Sequence, residues 1–179
     1  FTYDTWTQYT YNDDGRRLTA GVSGEQTTYH YAAAGDLWPN YIEDKHGLKT
    51  YYHYDAHGRV DRIAHPATSA PDPPGATDGV KYEYDAYSQV TKITDTLGNE
   101  THFEYDERGN MVTKVLPDDN PTAPDHPLVY EYDGFGAVTT ATDALGNDTV
   151  YTYIDEGCGS CGATAGRSLA SVTDALNNT

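Results

Sequence analysis

Residues 82–101 read Tyr82-Glu83-Tyr84-Asp85-Ala86-Tyr87-Ser88-Gln89-Val90-Thr91-Lys92-Ile93-Thr94-Asp95-Thr96-Leu97-Gly98-Asn99-Glu100-Thr101, and they spell out one complete β-hairpin. Two turn signals divide the stretch into two short strands. Side chains alternate along a strand, so the two rings of Tyr-x-Tyr share one face. Asp85 to Ser88 then reverses the chain. Other copies carry glycine at the Ser88 place, where a hairpin turn needs a positive φ. Val90 to Thr94 is rich in β-branched residues and forms the second strand. The Leu-Gly-Asn element turns the chain back.

The same unit recurs along the chain. Tyr-x-Tyr followed by glycine appears at Tyr9/Tyr11 to Gly15, Tyr29/Tyr31 to Gly35, Tyr52/Tyr54 to Gly58, Phe103/Tyr105 to Gly109, Tyr130/Tyr132 to Gly136 and Tyr151/Tyr153 to Gly157, besides Tyr82/Tyr84. The spacer Asp-x-Leu-Gly-Asn-x-Thr is whole at Asp95–Thr101 and Asp143–Thr149, and degenerate at Asp44–Thr50 and Asp174–Thr179. A period of about 20 residues means stacked supersecondary units rather than an ordinary globular core. The expected fold is all-β: tandem hairpins in a continuous antiparallel sheet, one array over residues 1–179, with the tyrosine ladder supplying the main cohesion. Val90 and Ile93, like Val112 and Val115, are three apart and should face opposite ways in a regular strand. A bulge, or a sheet packed on both faces, would reconcile them.

Composition agrees with a thin sheet. Leu, Ile, Val and Phe make up only 26 of 179 residues and the net charge is −17, a balance that verges on disorder. The 17 tyrosines oppose that tendency. Each offers a large apolar ring with a hydroxyl that can stay wet, so a shallow core still gains from packing it. The acidic balance argues against nucleic acid and anionic lipid as partners, because both are bound through clustered Lys and Arg. No run of about 18 apolar residues is present to span a bilayer, and Phe1-Thr2-Tyr3-Asp4 lacks the features of a signal peptide.

The recurring Tyr-x-Tyr-Asp-x-x-Gly with its Asp-x-Leu-Gly-Asn-x-Thr spacer resembles the Rhs/YD-repeat family, which includes bacterial polymorphic toxins, the shell component of insecticidal toxin complexes and the animal teneurins. The resemblance covers nearly the whole chain. It implies a secreted or cell-surface protein whose sheet spirals into a hollow shell or a solenoid-like rod that encloses or displays other parts. No segment resembles the family's core domain with its aspartyl self-cleavage site, and no effector domain is seen. The array starts and stops within a unit, so the expected partners are the remainder of its own polypeptide or adjacent copies in an assembly.

Three insertions interrupt the array. The proline-rich stretches 65–79 and 117–127 hold eight of the nine prolines and are expected to be surface loops. The loop 157–167 carries Cys158 and Cys161. A redox Cys-x-x-Cys would sit at a helix start in a βαβ setting, and zinc would require a second ligand pair. A structural disulfide is favoured over both and over free thiols, which implies an oxidising compartment.

Other chemistry finds little support. The seven histidines lack helical metal spacing, the carboxylate pairs follow from 28 acids, and no serine sits in a nucleophile elbow. The expectation is a protein without catalysis or cofactor. The calcium candidates are Asp13 and Asp14, and Asp118 and Asp119, where turn oxygens cluster. The leading function is a structural scaffold. The alternative is a carbohydrate or cell-surface binding module that stacks sugars on tyrosine-rich surfaces and uses the rim loops.

Overall fold

The computed structural model describes residues 7–22, 25–33, 35–65, 79–117, 126–155 and 167–176. Every regular element among them is a strand: β1 (Gln8–Tyr11), β2 (Arg17–Val22), β3 (Glu25–His30), β4 (Tyr41–Glu43), β5 (Lys49–Tyr54), β6 (Val60–Ala64), β7 (Val80–Tyr84), β8 (Val90–Thr94), β9 (Glu100–Tyr105), β10 (Met111–Val115), β11 (Leu128–Tyr132), β12 (Val138–Thr142), β13 (Asp148–Asp155) and β14 (Arg167–Thr173). The strand order in the sheet is the sequence order, as a meander of hairpins requires. The chain divides into two compact units, Phe1–Glu83 with Ile93–Gly98, and Tyr84–Lys92 with Asn99–Thr179.

In the first unit, β1 to β7 pair antiparallel with their neighbours. Two of its Tyr-x-Tyr hairpins, β1–β2 and β5–β6, carry a bulge at the same place, whereas β3–β4 pairs without one. Tyr54 lies opposite Val60 but His53 lies opposite Arg62, so Asp61 is the extra residue. The β1–β2 hairpin does the same, with Tyr11 opposite Arg17 and Thr10 opposite Thr19. In the second unit the bulge recurs where Tyr105, Tyr132 and Tyr153 face Met111, Val138 and Leu169.

This bulge produces a spacing of three on the tyrosine face, but not at Val112 and Val115: there Met111 and Lys114 face Tyr105 and Phe103, Val112 is the extra residue and Val115 lies opposite His102. Tyr132 pairs with Val138 and Tyr130 with Ala141, so residues three apart on the second strand share the tyrosine face. The extra residue restores the phase that plain alternation would lose.

Along β9 burial alternates residue by residue, with Thr101, Phe103 and Tyr105 half-buried and His102 and Glu104 exposed. The residue between the paired aromatics therefore belongs to a polar face. There Thr10 bonds Thr19 at 2.8 Å and Thr152 bonds Ser171 at 2.7 Å. Among the described residues Ala64 is the one buried apolar residue, and no large side chain is fully buried. The sheet thus has the shallow core its composition implied, and its stability must come from half-buried rings and backbone pairing.

Candidate functional site

The paired tyrosines form the most regular side-chain feature. The hydroxyl of the second tyrosine donates to a backbone carbonyl of the preceding hairpin: Tyr31 to Arg17 (2.9 Å), Tyr54 to Pro39 (3.0 Å), Tyr105 to Val90 (2.9 Å), Tyr132 to Met111 (2.7 Å) and Tyr153 to Val138 (2.8 Å). These bonds fall where they are needed. The seam between β10 and β11 consists of Thr113 opposite Val129 and Lys114 opposite Leu128, and nearer the Asp106 turn the Tyr132 hydroxyl bridges the two hairpins instead. The ring packs on the sheet while its hydroxyl satisfies a carbonyl that would otherwise face solvent.

The ladder members are not equivalent. Tyr29, Tyr52, Tyr82, Tyr84, Phe103, Tyr130 and Tyr151 are half-buried, whereas Tyr9 and Tyr11 are 49% and 54% exposed. Arg17 covers the rings of Tyr9 and Tyr29 with its guanidinium, and Lys114 covers Phe103. Burial, aided by neighbouring tyrosines or aspartates, pushes the hydroxyls of Tyr52, Tyr54, Tyr105 and Tyr132 above their ordinary pKa.

The two turn types of the repeat are one structure. In both, an Asp carboxylate oxygen accepts the amides two and four residues on, and its backbone carbonyl accepts the amide three on. Asp106 holds the amides of Arg108 and Asn110 at 2.9 Å, and Gly109 closes on its carbonyl at 3.0 Å. Asp143, in a spacer, holds Leu145 and Asn147 in the same way. Asp44, Asp55, Asp85 and Asp133 repeat it, and Asn12 replaces the carboxylate with an amide oxygen. Ser88 occupies the glycine position with φ 68°, and its counterpart Gly109 has φ 88°.

The cages depress carboxylate pKa values. The Asn110 side chain is the main cause at Asp106, the Asn147 side chain at Asp143 and the Leu48 amide at Asp44. At Asp55 desolvation works the other way, but the Arg59 amide and guanidinium and the His57 amide outweigh it and hold the group at about 2.

Adjacent tyrosine-side turns are also stapled together, a feature the spacing of the sequence did not reveal. The Arg16 guanidinium reaches the carbonyls of Ala33 and Asp36, Gln89 reaches Gly109, and Arg108 reaches Gly134. A second unanticipated feature lies opposite the ladder in the first unit. His30, Tyr41 and Tyr51 stack across β3, β4 and β5, with centroids 4.1 and 5.1 Å apart. The consecutive tyrosines Tyr51 and Tyr52 were its signal, because alternation must send one ring to each face.

At the first calcium candidate, Asp14 is paired with Arg16 at 2.6 Å, and Asn12 spends its side-chain oxygen on two amides. Among the described residues no group of three or more His, Cys, Asp or Glu could hold a metal ion. Asp118, Asp119, Cys158 and Cys161 lie outside the described residues, as do most of both proline-rich insertions. No helix among the described residues is long and apolar enough to cross a membrane.

Comparison with known proteins bears out the family resemblance. Residues 77–121 match the RHS Repeat family model. No curated protein sequence matches the chain. Among solved structures, the crystal structure of TcdB2-TccC3 is similar with a TM-score of 0.64 and 16% identity over 84% of this chain. The crystal structure of TcdB2-TccC3-TEV is similar with a TM-score of 0.60 and 18% identity over 82%. The chain spans 9% and 8% of the lengths of those two chains. At such identities the likeness is one of fold.

Proposed function

We propose that this chain is wall material, a strip of repeat sheet within the shell, rod or filament of a secreted or cell-surface assembly, and that its work is to enclose or display other parts rather than to catalyse. The observation that carries the proposal is the hydroxyl ladder. Five tyrosines are each spent on joining one hairpin to the one before it. A surface built in this way gains from length, because every added hairpin finds its acceptor on the previous one. The fold shared with parts of two much longer toxin-complex chains supports the same reading.

Glycan stacking is the weaker reading for the ladder and the stack. Arg17 lies over Tyr9 and Tyr29 and Lys49 over Tyr41, and the largely exposed rings, such as Tyr87 at 86%, stand outside both. The partners proposed are accordingly the rest of the polypeptide or neighbouring copies. The test is to delete these residues from the parent polypeptide and image what assembles by electron microscopy. Wall material predicts a broken or absent particle. An intact particle that has lost only a binding activity would contradict it.

A further inference from the structure

We propose that Tyr41 and Tyr51 form an oxidative cross-linking site, at which a haem peroxidase supplied with hydrogen peroxide joins β4 to β5 through a carbon–carbon bond between the two rings. The two tyrosines are directly paired across antiparallel strands. Their centroids are 5.1 Å apart at 34°. Both are half-buried rather than enclosed, so part of each side chain still meets solvent. His30 backs Tyr41 at 4.1 Å and 10°, and the Lys49 ammonium stands 5.4 Å from the Tyr41 centroid, so the ring is held in its stack rather than free to swing away. Ladder tyrosines such as Tyr54 differ, because their hydroxyls are bonded to carbonyls.

The chemistry balances without another co-reactant. Each phenol gives up one hydrogen atom, and the two phenoxyl radicals couple at ring carbons ortho to their oxygens. The ortho hydrogens then shift to those oxygens as the rings regain aromaticity. The two hydrogen atoms removed reduce one hydrogen peroxide to two waters.

The position gives the bond a consequence. β4 closes one hairpin and β5 opens the next, and their seam is three residue pairs long: Tyr41 with Tyr51, Ile42 with Thr50, and Glu43 with Lys49. A covalent link there adds a permanent fastening to a short seam otherwise held by these pairs, the Tyr52 amide on the Asn40 carbonyl and the Tyr54 hydroxyl bridge. Register makes the reaction intramolecular, which favours it over coupling between chains.

The experiment treats the whole chain with peroxidase and hydrogen peroxide at low protein concentration, follows the blue dityrosine emission and maps the product by peptide mass spectrometry. The expected product is a monomer, lighter by two hydrogens, with the Tyr41 and Tyr51 peptides joined. Tyr51→Phe and Tyr41→Phe each keep an aromatic ring in the stack and should lose most of the emission, while Tyr151→Phe should keep it. Far-UV circular dichroism establishes that each variant is folded. Emission retained in Tyr51→Phe, cross-links mapped mainly elsewhere, or dimers as the main product would each overturn the proposal.

Discussion

Tyr130 and Tyr132 stand on one face of one strand, yet they do different work. The Tyr132 hydroxyl reaches the Met111 carbonyl at 2.7 Å and ties β11 to the hairpin before it, while Tyr130 contributes its ring. Tyr132→Phe is therefore expected to cost about 1 kcal/mol, the net worth of one hydrogen bond, and Tyr130→Phe less than about 0.5 kcal/mol. Urea unfolding with an unchanged slope measures both. A cost for Tyr132→Phe no larger than that for Tyr130→Phe would mean that the hydroxyl bridge adds nothing to stability. Ser88 gives a second single-residue test. It holds a left-handed φ of 68° that its counterparts assign to glycine. Ser88→Gly should raise stability by about 1 kcal/mol, the approximate cost of that conformation to a residue with a Cβ. A destabilised variant would show that the serine hydroxyl outweighs the backbone strain.

The Asp turn is the element that sets how the array responds to pH. Asp44, Asp55, Asp106 and Asp143 have folded pKa values below their ordinary ones, with Asp55 at about 2. Their contribution is complete above the unfolded value of about 3.9 and fades as pH falls through the folded values. The half-buried tyrosines act at the other end. Their folded pKa values are raised, so their contribution is complete below about pH 10 and declines as pH rises past it. Thermal unfolding across pH should show a plateau between these limits. A stability maximum at acid pH would refute the cage account. Asn12 already performs the aspartate's task with an amide oxygen. Asp106→Asn should thus lower the unfolding midpoint much less than Asp106→Ala, and should weaken the acid response.

Much of this element was legible in the sequence. Glycine and aspartate at fixed offsets announce the turns, and Tyr-x-Tyr announces a strand with a preferred face, because both signals are local. The clash between Val90 and Ile93 pointed to a bulge or to packing on both faces, and five other hairpins carry the bulge. The kinship of the two turns was present in the shared Asp-x-x-Gly pattern but hidden by the different strands around it. The staples from Arg16, Gln89 and Arg108 were not legible. They join residues 17 to 26 positions apart, and only the strand register decides which carbonyl a long side chain meets. The His30–Tyr41–Tyr51 stack was hidden for the same reason, since β4 is three residues long and carries no tyrosine pair.

For the whole molecule, composition limits the choices. With 26 Leu, Ile, Val and Phe among 179 residues and a charge of −17, an aliphatic core was never available. The chain is instead held hairpin to hairpin by half-buried rings, hydroxyl bridges and caged turns, and that construction suits a wall. The measurement that tests this most directly is a cryo-electron-microscopy map of the parent polypeptide at a resolution that shows tyrosine hydroxyls. The account predicts consecutive antiparallel strands within a wall, with the hydroxyls of Tyr105, Tyr132 and Tyr153 at hydrogen-bond distance from the carbonyls of Val90, Met111 and Val138. A map in which those hydroxyls turn to solvent, or in which the hairpins form a separate body outside any wall, would contradict it.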